Sequence, residues 1–134
     1  MRKTLLVTLL SLSLFSLSCD DNSGFEASDI IGLYEGSYID RDIFFTASIS
    51  TPSGTTGDVR IDALWTPGSI SRNFAIADID GSDLIFTTSS FPNGTNFFGE
   101  GRIISNNEIE IRYSVGGVST TMTLNRDPNR DIPE

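Results

Sequence analysis

Glu108-Ile109-Glu110-Ile111-Arg112-Tyr113-Ser114-Val115-Gly116-Gly117-Val118-Ser119-Thr120-Thr121-Met122-Thr123-Leu124-Asn125 carries the clearest structural signal in the chain. Ile109, Ile111, Tyr113 and Val115 occupy alternate positions, with Glu108, Glu110, Arg112 and Ser114 between them, which is the period of a half-buried β-strand. Gly116-Gly117 supplies two residues free to take positive φ, as a two-residue hairpin demands. Such a loop sets Val115 opposite Val118, and the inward face then continues through Thr120, Met122 and Leu124. A slip of one residue would turn that whole set into water, so pattern and turn specify each other.

The same grammar extends upstream. Period-two segments at 32–39, 43–51, 58–65, 72–79, 83–89 and 96–104 precede those at 108–115 and 118–125, and no window after residue 28 sustains a helical period. Asp80-Gly81 predicts a hairpin between the fourth and fifth strands, and Asn106-Asn107 one between the sixth and seventh. Pro52-Ser53-Gly54, Pro67-Gly68 and Pro92-Asn93-Gly94 mark longer loops. Short strands with one apolar face and no helix to cover it must close that face on one another. The expectation is an all-β, eight-stranded antiparallel up-and-down β-barrel, with a two-sheet β-sandwich as the alternative.

Composition narrows the function. The chain has 134 residues, 9 basic and 18 acidic, with no histidine and one cysteine. That length suits one domain with a real core. An acidic chain without basic clusters is a poor nucleic-acid binder. Lys3 is the sole lysine, so beyond the N-terminal leader no His, Lys or free thiol is available to titrate near neutrality. A carboxylate pair of the glycosidase kind is the remaining catalytic route, and the sequence marks none. The expectation is therefore a protein that is not an enzyme and uses no cofactor.

The leader gives an address. Arg2 and Lys3 precede an uncharged, leucine-rich stretch from Thr4 to Ser18, too short to span a bilayer. Phe15-Ser16-Leu17-Ser18-Cys19 resembles the lipobox of bacterial lipoproteins, with Ser16 where leucine is commoner. That resemblance implies cleavage before Cys19, diacylation of its thiol, and usually acylation of the new amino terminus. Two or three chains suffice for stable anchoring, each buried methylene contributing about 0.8 kcal/mol. The implied organisation is a signal peptide at 1–18, the lipidated cysteine and a flexible tether at 19–28, a barrel domain at 29–126 and a flexible tail at 127–134. Asp20-Asp21 resembles a surface-export signal in some Gram-negative lineages and an inner-membrane retention signal in enteric-type systems. The resemblance places the protein in the bacterial envelope, as an outer-membrane lipoprotein on a face left open.

Ile31-Gly32-Leu33-Tyr34-Glu35-Gly36-Ser37-Tyr38 and Phe97-Phe98-Gly99-Glu100-Gly101-Arg102-Ile103 resemble strands of small lipocalin-like or streptavidin-like barrels. That resemblance implies an interior able to hold a small apolar ligand, without naming one; the other expected partner is an envelope protein docking on exposed phenylalanines or an edge strand. Tyr34, Trp65, Phe98, Glu100, Arg102 and Tyr113 are the candidate ligand contacts.

Two registers bear on Glu100 and Arg102. A strict two-residue loop at Asn106-Asn107 pairs Ile104 with Ile109 and turns Phe98, Glu100 and Arg102 inward, as a polar ligand anchor. One extra residue turns Phe97, Gly99, Gly101 and Ile103 inward and leaves both charges in water, where solvation costs nothing. Phe44-Phe45 and Phe97-Phe98 cannot each point both members inward on a regular strand. Asp78, Asp80 and Asp83 form either a solvated hairpin or a weak calcium candidate.

Overall fold

The computed structural model describes residues 24–39, 41–65, 72–127 and 129, with backbone alone at 41–43, 63–65 and 72. A short helix, α1 (Ala27–Ile30), is followed by β1 (Gly32–Tyr38), β2 (Arg41–Ser50), β3 (Val59–Trp65), β4 (Arg72–Asp80), β5 (Asp83–Phe86), β6 (Phe97–Ser105), β7 (Glu108–Val115) and β8 (Val118–Arg126). Each strand pairs antiparallel with the next, and β8 returns to β1, so the sheet is a closed up-and-down barrel rather than a sandwich. Closure satisfies the strand edges that an open sheet would leave exposed.

The β7–β8 hairpin is built as its sequence dictates. Val115 pairs with Val118, and Gly116 and Gly117 take φ of 57° and 84°. Ile109, Ile111, Tyr113 and Val115 are buried along with Thr120, Met122 and Leu124. The β4–β5 turn differs by one residue. Asp80 stays in the ladder opposite Asp83, so the loop is Gly81-Ser82 rather than Asp80-Gly81, with Gly81 at φ 63°.

β5 ends at Phe86, short of the expected 89. There the Thr88 hydroxyl accepts the Ile76 N–H at 2.7 Å, occupying a donor that a longer ladder would use. In β3 the register with β4 shifts between Asp62 and Leu64.

α1 and Phe25 close one end of the barrel, called lower here. Ile30 is fully buried, Phe25 packs on the core, and the Phe25 N–H donates to Gly81 O at 2.9 Å. Part of the segment expected as a tether is therefore packed against the barrel, while 19–23 lies outside the described residues.

The helix is one turn long, and the Asp29 carboxylate accepts the Glu26 N–H at 2.8 Å at its start. Its final carbonyls are taken by side chains. Arg126 donates to Asp29 O at 3.0 Å and to Ile31 O at 2.6 Å, and Tyr34 donates to Ile30 O at 2.6 Å. These bonds satisfy acceptors that a helix end leaves orphaned. Arg126 thus belongs to β8, and Asp127 is also tied in, its N–H donating to Leu33 O at 3.1 Å.

Candidate binding site

The inward-facing side chains divide along the barrel. Toward α1 they are chiefly aliphatic, with Ile49, Val59, Ile61, Leu84, Ile103, Ile109 and Leu124 around Tyr34. Toward the β7–β8 turn they are chiefly aromatic. Phe97 lies at the centre of that upper half, 5.1 Å from Phe91, 5.2 Å from Phe86 and 5.8 Å from Tyr113 between ring centroids. Tyr38 and Phe45 form a second pair at 5.1 Å. The Tyr38 and Tyr113 hydroxyls are 3.1 Å apart and hydrogen-bonded, and Asn73 and Thr120 are buried as well. An apolar surface carrying a few convergent polar groups is what a small-ligand site requires.

Each part has a local cause. Tyr38, two positions beyond the inward Gly36, shares the face of Tyr34. Gly36 stands opposite Phe45, and a β-carbon there would overlap the Phe45 ring, so the glycine makes the space that ring occupies. Phe91 belongs to the β5–β6 loop, where the Phe91 N–H donates to Thr95 O at 2.9 Å and the Gly94 N–H to Phe91 O at 2.8 Å. The folded-back loop seats Phe91 over the barrel interior with 2 % of its surface exposed.

The candidate ligand residues separate. Tyr113 is in the aromatic half. Tyr34 is buried at the other end, engaged with α1, where burial pushes its phenol up to about 12 against the opposing pull of the Arg126 charge. The Trp65 side chain, Cys19 and the leader lie outside the described residues, as does the loop marked by Pro67-Gly68.

Phe98, Glu100 and Arg102 face outward, contrary to their reading as interior contacts. The β6–β7 turn is the two-residue Asn106-Asn107 loop with Ser105 opposite Glu108, but Ile103 then pairs with Ile109. Ile104 is the extra residue of a β-bulge, and it reverses every side chain upstream. The inward glycines of that register serve close packing, for a β-carbon on Gly99 would lie 2.7 Å from Phe97 Cζ and one on Gly101 2.9 Å from Leu84 Cβ.

The outward register aligns unlike charges across strands. It sets Glu100 opposite Arg112 on β7, and Arg102 opposite Glu110 on β7 and Asp83 on β5. The signal was present in sequence as Glu100-Gly101-Arg102 running antiparallel to Glu110-Ile111-Arg112. The adjacent phenylalanines divide as their spacing requires, Phe45 and Phe97 inward, Phe44 and Phe98 outward and 79 % and 68 % exposed. Phe74 also faces outward, beneath the Arg60 guanidinium at 3.9 Å.

Two depressions mark this outer wall. One, of about 630 Å³, is lined by Ile39, Phe98, Arg112, Ser114, Ser119 and Thr121 among others. The second, of about 490 Å³, adjoins Ile85, Glu100, Arg102 and Glu110. Asp78, Asp80 and Asp83 are all exposed. Among the described residues no three acidic, histidine or cysteine side chains are grouped to hold a metal. The calcium candidate is therefore not assembled. No protein-family model matches the sequence, and no curated protein does either.

Proposed function

We propose that this chain is a lipid-anchored, non-catalytic binding protein of the bacterial envelope, whose barrel takes a small, largely apolar ligand at its aromatic end. The observation that carries this reading is the upper interior, where Tyr38, Phe45, Phe86, Phe97 and Tyr113 gather around a hydroxyl pair. Aromatic faces supply apolar area at low entropic cost, and the hydroxyls supply orientation. The lipobox-like leader ending at Cys19 supports the anchor and an outer-membrane address. The absence of histidine and of lysine beyond Lys3 supports binding without catalysis.

The test is native mass spectrometry of the protein extracted from its own membrane. The expected result is a bound small molecule whose occupancy falls at least tenfold in Tyr113→Ala. A chain that carries none, in a crystal whose aromatic end is filled by side chains alone, overturns the binding reading. Labelling with an alkyne fatty acid tests the anchor separately; the label should vanish in Cys19→Ser.

A second reading, an accessory subunit docking on a larger envelope complex, is favoured by the exposure of Phe44 and Phe98. Crosslinking in intact envelopes separates it from the first, since a docked subunit yields a heterologous adduct through these rings.

A further inference from the structure

We propose that the outer wall of β5–β8 is a self-association surface whose occupant is a second copy of this chain. The barrel has no open edge, so a second copy has to meet a face. The face singled out is the one with alternating charge. Glu100 and Arg112 form one row across β6 and β7, and Arg102 and Glu110 form the next. Arg112 is bridged to Glu110 along its own strand at 3.3 Å. Glu100 and Arg102 make no ion pair or hydrogen bond among the described residues, so both remain available to a partner.

A two-by-two alternation is complementary to its own image. A two-fold axis in the contact plane, running along the strands between β6 and β7, exchanges the columns. Glu100 of one copy then meets Arg112 of the other, and Arg102 meets Glu110.

The same operation places the apolar groups. Phe98 falls over Ser114 and Ser119 of the other copy, in the depression of about 630 Å³. Phe98 is 68 % exposed, so this contact would cover a large apolar side chain that now faces water. With 18 acids against 9 bases, two copies meet most favourably where unlike charges alternate, as they do on this wall. Charge thus selects this wall, and the isologous geometry limits the assembly to a dimer.

The test is sedimentation velocity on the full chain in a non-ionic detergent, carrying Cys19→Ser so that acyl chains play no part. The expected species is a dimer. Glu100→Arg and Arg112→Glu each act twice in a two-fold contact; at about tenfold per contact, each should weaken association about 100-fold. The pair together, E100R/R112E, should restore it. Circular dichroism and cooperative melts, taken at concentrations where every variant is monomeric, show that the barrel is intact throughout.

A chain that stays monomeric up to about 100 μM overturns the proposal, as does a dimer indifferent to the single reversals. Failure of the double variant to recover overturns this pairing, because a two-fold across the strands would set Glu100 against Arg102 instead. A complex that forms only with a different envelope protein also overturns it.

Discussion

Gly32 and Arg126 contend for one volume, for a β-carbon on Gly32 would stand 2.9 Å from Arg126 Nε. The bare backbone of the first strand lets an arginine from the last strand reach the carbonyls that end α1. Gly32→Ala should therefore destabilise the barrel by about 1–3 kcal/mol, as overpacking does. Arg126→Ala should cost about 1–3 kcal/mol through the stranded carbonyls. The decisive measurement is the double variant by urea unfolding. Gly32→Ala should cost far less once Arg126 is gone, and simple additivity of the two penalties would refute the shared volume.

Tyr34 gives the barrel an alkaline weakness. Its ionisation is raised from 10.0 to about 12 in the folded protein by burial, with the Arg126 charge opposing. Between those values the folded state holds a proton that the unfolded state releases. The stabilisation is therefore full below pH 10.0 and lost as pH rises toward about 12, by roughly 2–3 kcal/mol. Unfolding free energies measured across that interval should fall, and Tyr34→Phe should flatten the decline while losing about 1 kcal/mol at neutral pH.

Neighbouring phenylalanines on β6 should behave oppositely. Phe97 is fully buried and touches three aromatic rings, so Phe97→Ala should cost about 3–5 kcal/mol. Phe98 is 68 % exposed, and Phe98→Ser should shift stability by no more than about 0.5 kcal/mol. Parallel thermal melts of the two variants, at concentrations low enough to keep the chain monomeric, check the facing of the strand.

The bulge at Ile104 predicts a tolerated deletion. Removing Ile104 leaves Ser105 opposite Glu108 and Ile103 opposite Ile109, so the register is preserved without the kink. The deletion variant should keep its barrel circular dichroism and lose no more than about 2 kcal/mol. Collapse of the fold would mean that the deletion had turned Phe98, Glu100 and Arg102 into the core.

The barrel was legible because two independent signals agreed in it. Alternation fixed which face of β7 is buried, and Gly116-Gly117 fixed where the next strand begins, so an error in one would have shown in the other. At Asn106-Asn107 only the turn was read. Alternation through Gly99 and Gly101 has no apolar side to display, and a bulge is a single added residue with no composition of its own. The opposed Glu-x-Arg segments could have decided it. The helix Ala27–Ile30 was invisible for a different reason: one turn is too short to show a period, and its hold comes from Arg126 at the far end of the chain.

At the aromatic end, the inward facing of Tyr113 was legible because it lies on the best-patterned strand. The pairing of Tyr38 with Tyr113 was not, since it follows from closure of the wall rather than from neighbours in sequence.

The seam between β1 and β8 also governs when the molecule can come into being. Its two halves are the first and the last strands among the described residues, and no shorter stretch of the barrel holds both. Hairpins need only neighbouring strands, but the cylinder cannot close before β8 is complete, so its formation carries the loop-closure cost of the whole wall.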